Sequence, residues 1–72
     1  MKLKPGRYRH YKGKDYQVLD VARHSETGEL MVVYRNLYGD FELWVRPLTM
    51  FTEQVEVDGK TSPRFTFISE DV

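Results

Sequence analysis

Between two apolar runs lies ARHSETGEL, residues 22–30, in which Arg23, His24, Ser25, Glu26 and Thr27 are consecutive. A base, a hydroxyl and a carboxylate are thus neighbours, which are the ingredients of nucleophilic catalysis. Catalysis needs more than adjacency. Neighbouring residues of an extended chain point to opposite faces, so His24 and Ser25 do not share a proton there. No glycine elbow or helix start accompanies them to stabilise an oxyanion. The pattern instead predicts a turn, in which Ser25 or Thr27 hydroxyls bond nearby backbone N–H groups and Glu26 and Glu29 keep the loop solvated. Such a turn can also contact a ligand, and Arg23, His24 and Glu26 are its candidate contact residues. A small-ligand sensor or enzyme would have to bring His10, His24 and carboxylates such as Asp20 or Glu26 together. The two histidines lack the i, i+4 helical spacing of common metal sites, and the chain contains no Cys. No catalytic residue, metal or cofactor is therefore assigned, and no Gly-rich loop suited to phosphate is found.

A stronger recognition signal lies in FELWVR, residues 41–46. Strict alternation puts Phe41, Leu43 and Val45 on one apolar face and Glu42, Trp44 and Arg46 on the other. That reading predicts the apolar trio inside and Trp44 outside. On the preceding strand, Leu30, Val32 and Tyr34 would face inward, and Met31, Val33 and Arg35 outward. Trp44, Arg46, Arg35, Tyr11 and the 23–27 loop are then the expected contact surface, because exposed Trp, Tyr and Arg anchor interfaces. The alternative is that residues 48–63 fold over the indole.

The amino-terminal arm carries a second signal. RYRHYKGK interleaves Arg7, Arg9, Lys12 and Lys14 with Tyr8, His10 and Tyr11, which joins phosphate-attracting charge to rings that can stack on bases. An amphipathic first strand with Tyr8 and His10 inward has the same spelling. The chain is formally neutral, with 11 basic and 11 acidic side chains. Six of those basic residues fall within the first fourteen positions, which contain no acid, leaving the rest of the chain at −6. Attraction between the halves accounts for this better than nucleic acid does, since dedicated phosphate binders keep a basic excess over the whole domain.

The elements that must position these residues are strands. At 72 residues the chain suits one domain, with its core over about residues 6–68. A chain this short buries only about 60% of its unfolded surface, so the ten aromatic residues must supply much of the core. GRYRHY, KGK and DYQVLDVAR read as strand, turn and strand. In the second strand Tyr16 and Val18 share one face whereas Leu19 and Val21 share the other, a phase slip that predicts a bulge. LMVVYRNL is a strand entered through Thr27-Gly28 and left through Tyr38-Gly39-Asp40. Pro47 ends the next strand, so LTMF, residues 48–51, is expected to form one 3₁₀ turn with Met50 and Phe51 plugging the interior. Asp58-Gly59 marks a tight turn before a closing strand, RFTFI. About five strands of this kind predict an all-β fold, a small, strongly bent antiparallel barrel of SH3-like type.

These blocks, from GRYRHYKGKDYQVLDVARHSETGELMVVYRNLYGDFELWVRPLTMF to VDGK and PRF, resemble in order the bacterial family termed domain of unknown function 1653. The resemblance implies a small SH3-like bacterial protein without assigned catalytic residues. Its longest apolar run, LMVVY, is far below the roughly 20 residues of a membrane span, so a cytoplasmic protein with no membrane partner is expected. The function expected is a non-enzymatic binding module for a protein or peptide. Nucleic-acid binding through Arg7, Tyr8, Arg9, Lys12 and Lys14 is the alternative.

Overall fold

The computed structural model describes residues 3–72. Seven strands and one helical turn follow one another as β1 (Gly6–His10), β2 (Asp15–Arg23), β3 (Leu30–Asn36), β4 (Leu43–Pro47), α1 (Leu48–Phe51), β5 (Gln54–Val57), β6 (Lys60–Pro63) and β7 (Phe65–Ser69). The fold is all-β and antiparallel. Five strands form one sheet in the order β4-β3-β2-β1-β7, and β5 and β6 form a separate hairpin around Asp58-Gly59. The ladder does not close: β4 and β7 are its edges. The count exceeds the expected five because QVEV and KTSP, read as part of a turn region, pair with each other. No helix among the described residues is long and apolar enough to cross a membrane.

The bend in the sheet comes from β2. Its register against β3 shifts between Val18 and Asp20, the bulge that the phase slip predicts. Tyr16 and Val18 face Asn36 and Tyr34, and beyond the extra residue Val21 and Arg23 face Val32 and Leu30. One inserted residue thus keeps both halves of the strand turned to the same concave face while Leu19 is left exposed. At the other side of the sheet β1 approaches β7 closely. Gly6 has φ +141°, and a Cβ there would lie 2.5 Å from the Ser69 carbonyl oxygen. Only glycine fits that approach.

The concave face is closed by α1. Thr52 N–H donates to the Leu48 carbonyl, an i to i−4 bond, so the turn is α-helical rather than 3₁₀. Leu48 and Phe51 are buried, whereas Met50 is exposed. The plug is therefore the i, i+3 pair, which shares one face of a helical turn, and the expected role of Met50 is corrected. Phe51 stacks on Phe65 with centroids 4.0 Å apart and meets Tyr8 edge-on at 5.6 Å. Tyr8, Val18, Val32, Tyr34, Leu48, Phe51 and Phe65 make up the core.

The strand phase assigned to 41–46 is reversed. Tyr34 pairs with Trp44 and Val32 with Arg46, so Trp44 and Arg46 share the concave face with buried residues. Val33 pairs with Val45 and Arg35 with Leu43, placing Leu43 and Val45 on the convex face, 53% and 60% exposed. Phe41 leaves the alternation altogether: its φ is +54° and it is exposed. Pairing with β3 sets this phase, and an edge strand can obey it because the space beside it is filled by Leu48 and Phe51 from α1.

Candidate functional site

The residues singled out from sequence fall into three separate places. Arg23, His24 and Glu26 lie at the β2–β3 turn. Here His24 N–H bonds Glu29 O at 2.7 Å and Gly28 N–H bonds His24 O at 2.8 Å. The His24 Nδ1 accepts the N–H groups of Glu26 and Thr27, Thr27 Oγ1 accepts Glu29 N–H, and Arg23 donates to Gly28 O. The imidazole is employed as a turn acceptor, which removes that nitrogen from general-base chemistry. His10 lies beyond the opposite end of β2, so the nine residues of that strand separate it from His24. The two histidines therefore do not converge, and among the described residues no group of three or more His, Cys, Asp or Glu side chains is placed to hold a metal.

Arg35 sits on the convex face and donates to Phe41 O at 2.6 Å, bracing the left-handed turn. Its role is local.

The arm is largely committed to the fold. The guanidinium groups of Arg7 and Arg9 both grip the Asp15 carboxylate, each at 2.7 Å. The Tyr8 ring is 5% exposed and packs against Phe51 and Phe67, with its hydroxyl donating to Lys4 O. It is a core residue, which corrects its candidacy as a base-stacking ring. Lys12 lies over Tyr11 and Lys14 over Tyr38.

Hydrogen bonds from Arg9 and then Arg7 hold the Asp15 carboxyl at about 2, against an ordinary 3.8. A depressed carboxyl pKa contributes stability that is present above the unfolded value and lost as pH falls through the folded one. Asp15→Asn is thus expected to cost about 1 kcal/mol at neutral pH, discounted because Arg9 is exposed and Arg7 partly so. The cost should fade between pH 3.8 and about 2. Urea midpoints of wild type and variant, compared across that window, check it; curves that stay parallel down to the acid limit contradict it.

What the structure gathers is the end of the concave face where β1, β2, β3, β4 and β7 meet the 37–42 loop. Tyr16 is central. Its ring packs edge-on against Tyr34, Tyr38 and Phe65 at 5.5–5.6 Å, and its hydroxyl shares a 2.7 Å hydrogen bond with that of Tyr38. Burial and then that bond push the Tyr16 phenol above its usual value, so it stays protonated. His10 packs on Phe65 at 4.9 Å and on Tyr11 at 4.5 Å. Burial, followed by the charges of Arg46, Arg64 and Lys12, holds its imidazole below the ordinary value. Arg46 lies 5.7 Å above the Phe65 ring. Arg64 is paired with Glu53, whereas Arg46 has no ion pair among the described residues.

Asn36 holds this end together, and sequence reasoning passed over it. It is 5% exposed. Its Nδ2 donates to Tyr38 O at 2.6 Å and Asp40 Oδ1 at 3.0 Å, and its Oδ1 accepts the Trp44 indole N–H at 3.0 Å. The bond from Asn36 pulls the Asp40 carboxyl below its usual range. The signal was present in the alternation, since Asn36 follows Val32 and Tyr34 at a spacing of two. Trp44 is 49% exposed and Tyr38 37%, so the indole is neither covered by residues 48–63 nor at the centre of the core. The surface is open. A separate shallow groove of about 300 Å³ between His10, Tyr11, Pro63 and Ile68 adjoins it through His10.

Comparison with known proteins agrees with the architecture. A family model described as a protein of unknown function (DUF1653) matches residues 6–67. A crystal structure of a DUF1653 protein from Bordetella bronchiseptica superposes with a TM-score of 0.87 at 38% identity, over 94% of this chain and 90% of that one. No curated protein matches the chain. Matched over most of its length by both the family model and this structure, the chain belongs to the DUF1653 family.

Proposed function

We propose that the protein is a non-enzymatic binding module that holds a peptide segment of a partner at the aromatic and basic end of its concave face. One observation carries this reading: Trp44 is half exposed and is held by Asn36, which also binds the Tyr38 carbonyl, while Arg46 shares its face and is without a carboxylate partner among the described residues. An indole costs little conformational entropy to use as an anchor, and an unpaired guanidinium presents a planar fork suited to a carboxylate. The ligand chemistry that follows is a segment with an acidic group next to an aromatic or aliphatic side chain. Enzymatic readings draw no support from the two separated histidines. Nucleic-acid binding along the arm has less support, because Arg7 and Arg9 are held by Asp15 and Tyr8 is buried.

The test is a displayed peptide library selected on the wild-type protein, with recovered peptides measured by fluorescence anisotropy. Trp44→Ala and Arg46→Ala are each expected to weaken binding about thirtyfold, the effect of losing an interface anchor. Lys60→Ala, in the separate hairpin, should leave it unchanged. Peptides that bind folded Trp44→Ala and wild type equally would reject the site.

A further inference from the structure

β4 is an edge strand with a self-complementary face, and we propose that it pairs antiparallel with β4 of a second copy of this chain about a two-fold axis at Trp44. The inference goes beyond the peptide site and does not depend on it. It rests on backbone direction, charge and exposure.

Direction comes first. Asn36 N–H donates to Glu42 O, so Glu42 directs its carbonyl toward β3. Alternation along an antiparallel ladder then turns Trp44 and Arg46 toward β3 as well, and leaves the N–H and C=O of Leu43 and Val45 facing the open edge. With the axis at Trp44, Leu43 lies opposite the partner's Val45, and Val45 opposite the partner's Leu43. Both outward-facing residues thus meet outward-facing residues and exchange both backbone bonds.

The side chains obey the same symmetry. Glu42 falls opposite the partner's Arg46, and Arg46 opposite the partner's Glu42, so opposite charges face each other twice. Neither Glu42 nor Arg46 has an ion pair among the described residues. The two indoles meet at the axis in a non-hydrogen-bonded pair, where side chains approach most closely. On the convex face the exposed Leu43 and Val45 cover each other. The chain also limits the ladder, since Phe41 with φ +54° and Pro47 without an N–H end it on either side. Such a strip is smaller than the roughly 1,200 Å² of standard interfaces, so the association is reversible and follows protein concentration.

Sedimentation velocity over a wide concentration range tests this, with far-UV circular dichroism confirming that each variant is folded. Wild type is expected to move from the monomer toward twice its mass, and the Leu43 and Val45 amides to gain hydrogen-exchange protection as it does. Glu42→Arg and Arg46→Glu alone each set like charges opposite one another twice and should weaken self-association at least about tenfold. The double reversal should restore it. Val45→Pro removes an edge-facing N–H without touching the β3 ladder and should leave a folded monomer. Wild type that stays monomeric throughout overturns the proposal. A dimer indifferent to Val45→Pro and the single reversals also overturns it, as does a double reversal that fails to rescue; each would leave the peptide site standing.

Discussion

Phe51→Ala is expected to bring the protein close to unfolding at room temperature. The ring is 1% exposed and lies face to face with Phe65, their planes 2° apart, while its other contacts are Tyr8 edge-on and Tyr34 at 5.7 Å. It therefore joins β1, β3 and β7, which are not all neighbours in the sheet. Truncating a buried Phe costs about 3–5 kcal/mol. A domain of this length has about 4–11 kcal/mol in total. The four-residue helix that carries Phe51 has no side-chain cap and is too short to persist without this anchor. Urea denaturation followed by far-UV circular dichroism reads the loss. Phe51→Leu should retain more than half of the lost stability, since it keeps an apolar filling. A Phe51→Ala protein with a wild-type midpoint would mean that α1 does not close the core.

Asn36→Ala is expected to lose about 2–3 kcal/mol, because it removes three hydrogen bonds from one buried side chain. It should also weaken any ligand held at Trp44. The amide orders the 38–40 turn through Tyr38 O and Asp40, and it fixes the indole by accepting its N–H. Both effects are visible without knowing the ligand: the tryptophan emission should shift and broaden, and amides of residues 38–42 should exchange faster than in wild type. Asn36→Asp distinguishes the two faces of the amide. It keeps the acceptor for Trp44 but sets a carboxylate against the Tyr38 carbonyl and the Asp40 carboxylate, so its deficit should exceed that of Ala at neutral pH and shrink in acid. An Asn36→Ala protein with unchanged emission and loop exchange would show that the turn orders itself.

Both residues mark the limit of what linear pattern conveys. Phe51 was legible as a plug because Pro47 stops a strand and leaves a short apolar segment to fold inward. The choice of Leu48 over Met50 as its companion was not legible, since it depends on whether the turn winds as α or 3₁₀. Asn36 was overlooked because a lone amide at the end of a strand is spelled no differently when solvated. Its role arises because Tyr38 and Asp40, from a loop that closes through a left-handed Phe41, and Trp44, from β4, arrive at the same amide.

Local chemistry alone determined the β class, the tight turns at Gly28 and Asp58-Gly59, and the bulge near Leu19, because each is set by steric freedom or side-chain alternation within a few residues. The family, too, could be read from the order of its blocks. Only the tertiary structure decided which side of β4 faces the core. A two-residue period defines two faces but not which is inside, and at an edge strand the choice falls to pairing with β3 and to packing from α1. That choice brought Trp44 and Arg46 onto the concave face and left Leu43 and Val45 exposed beside an unpaired edge.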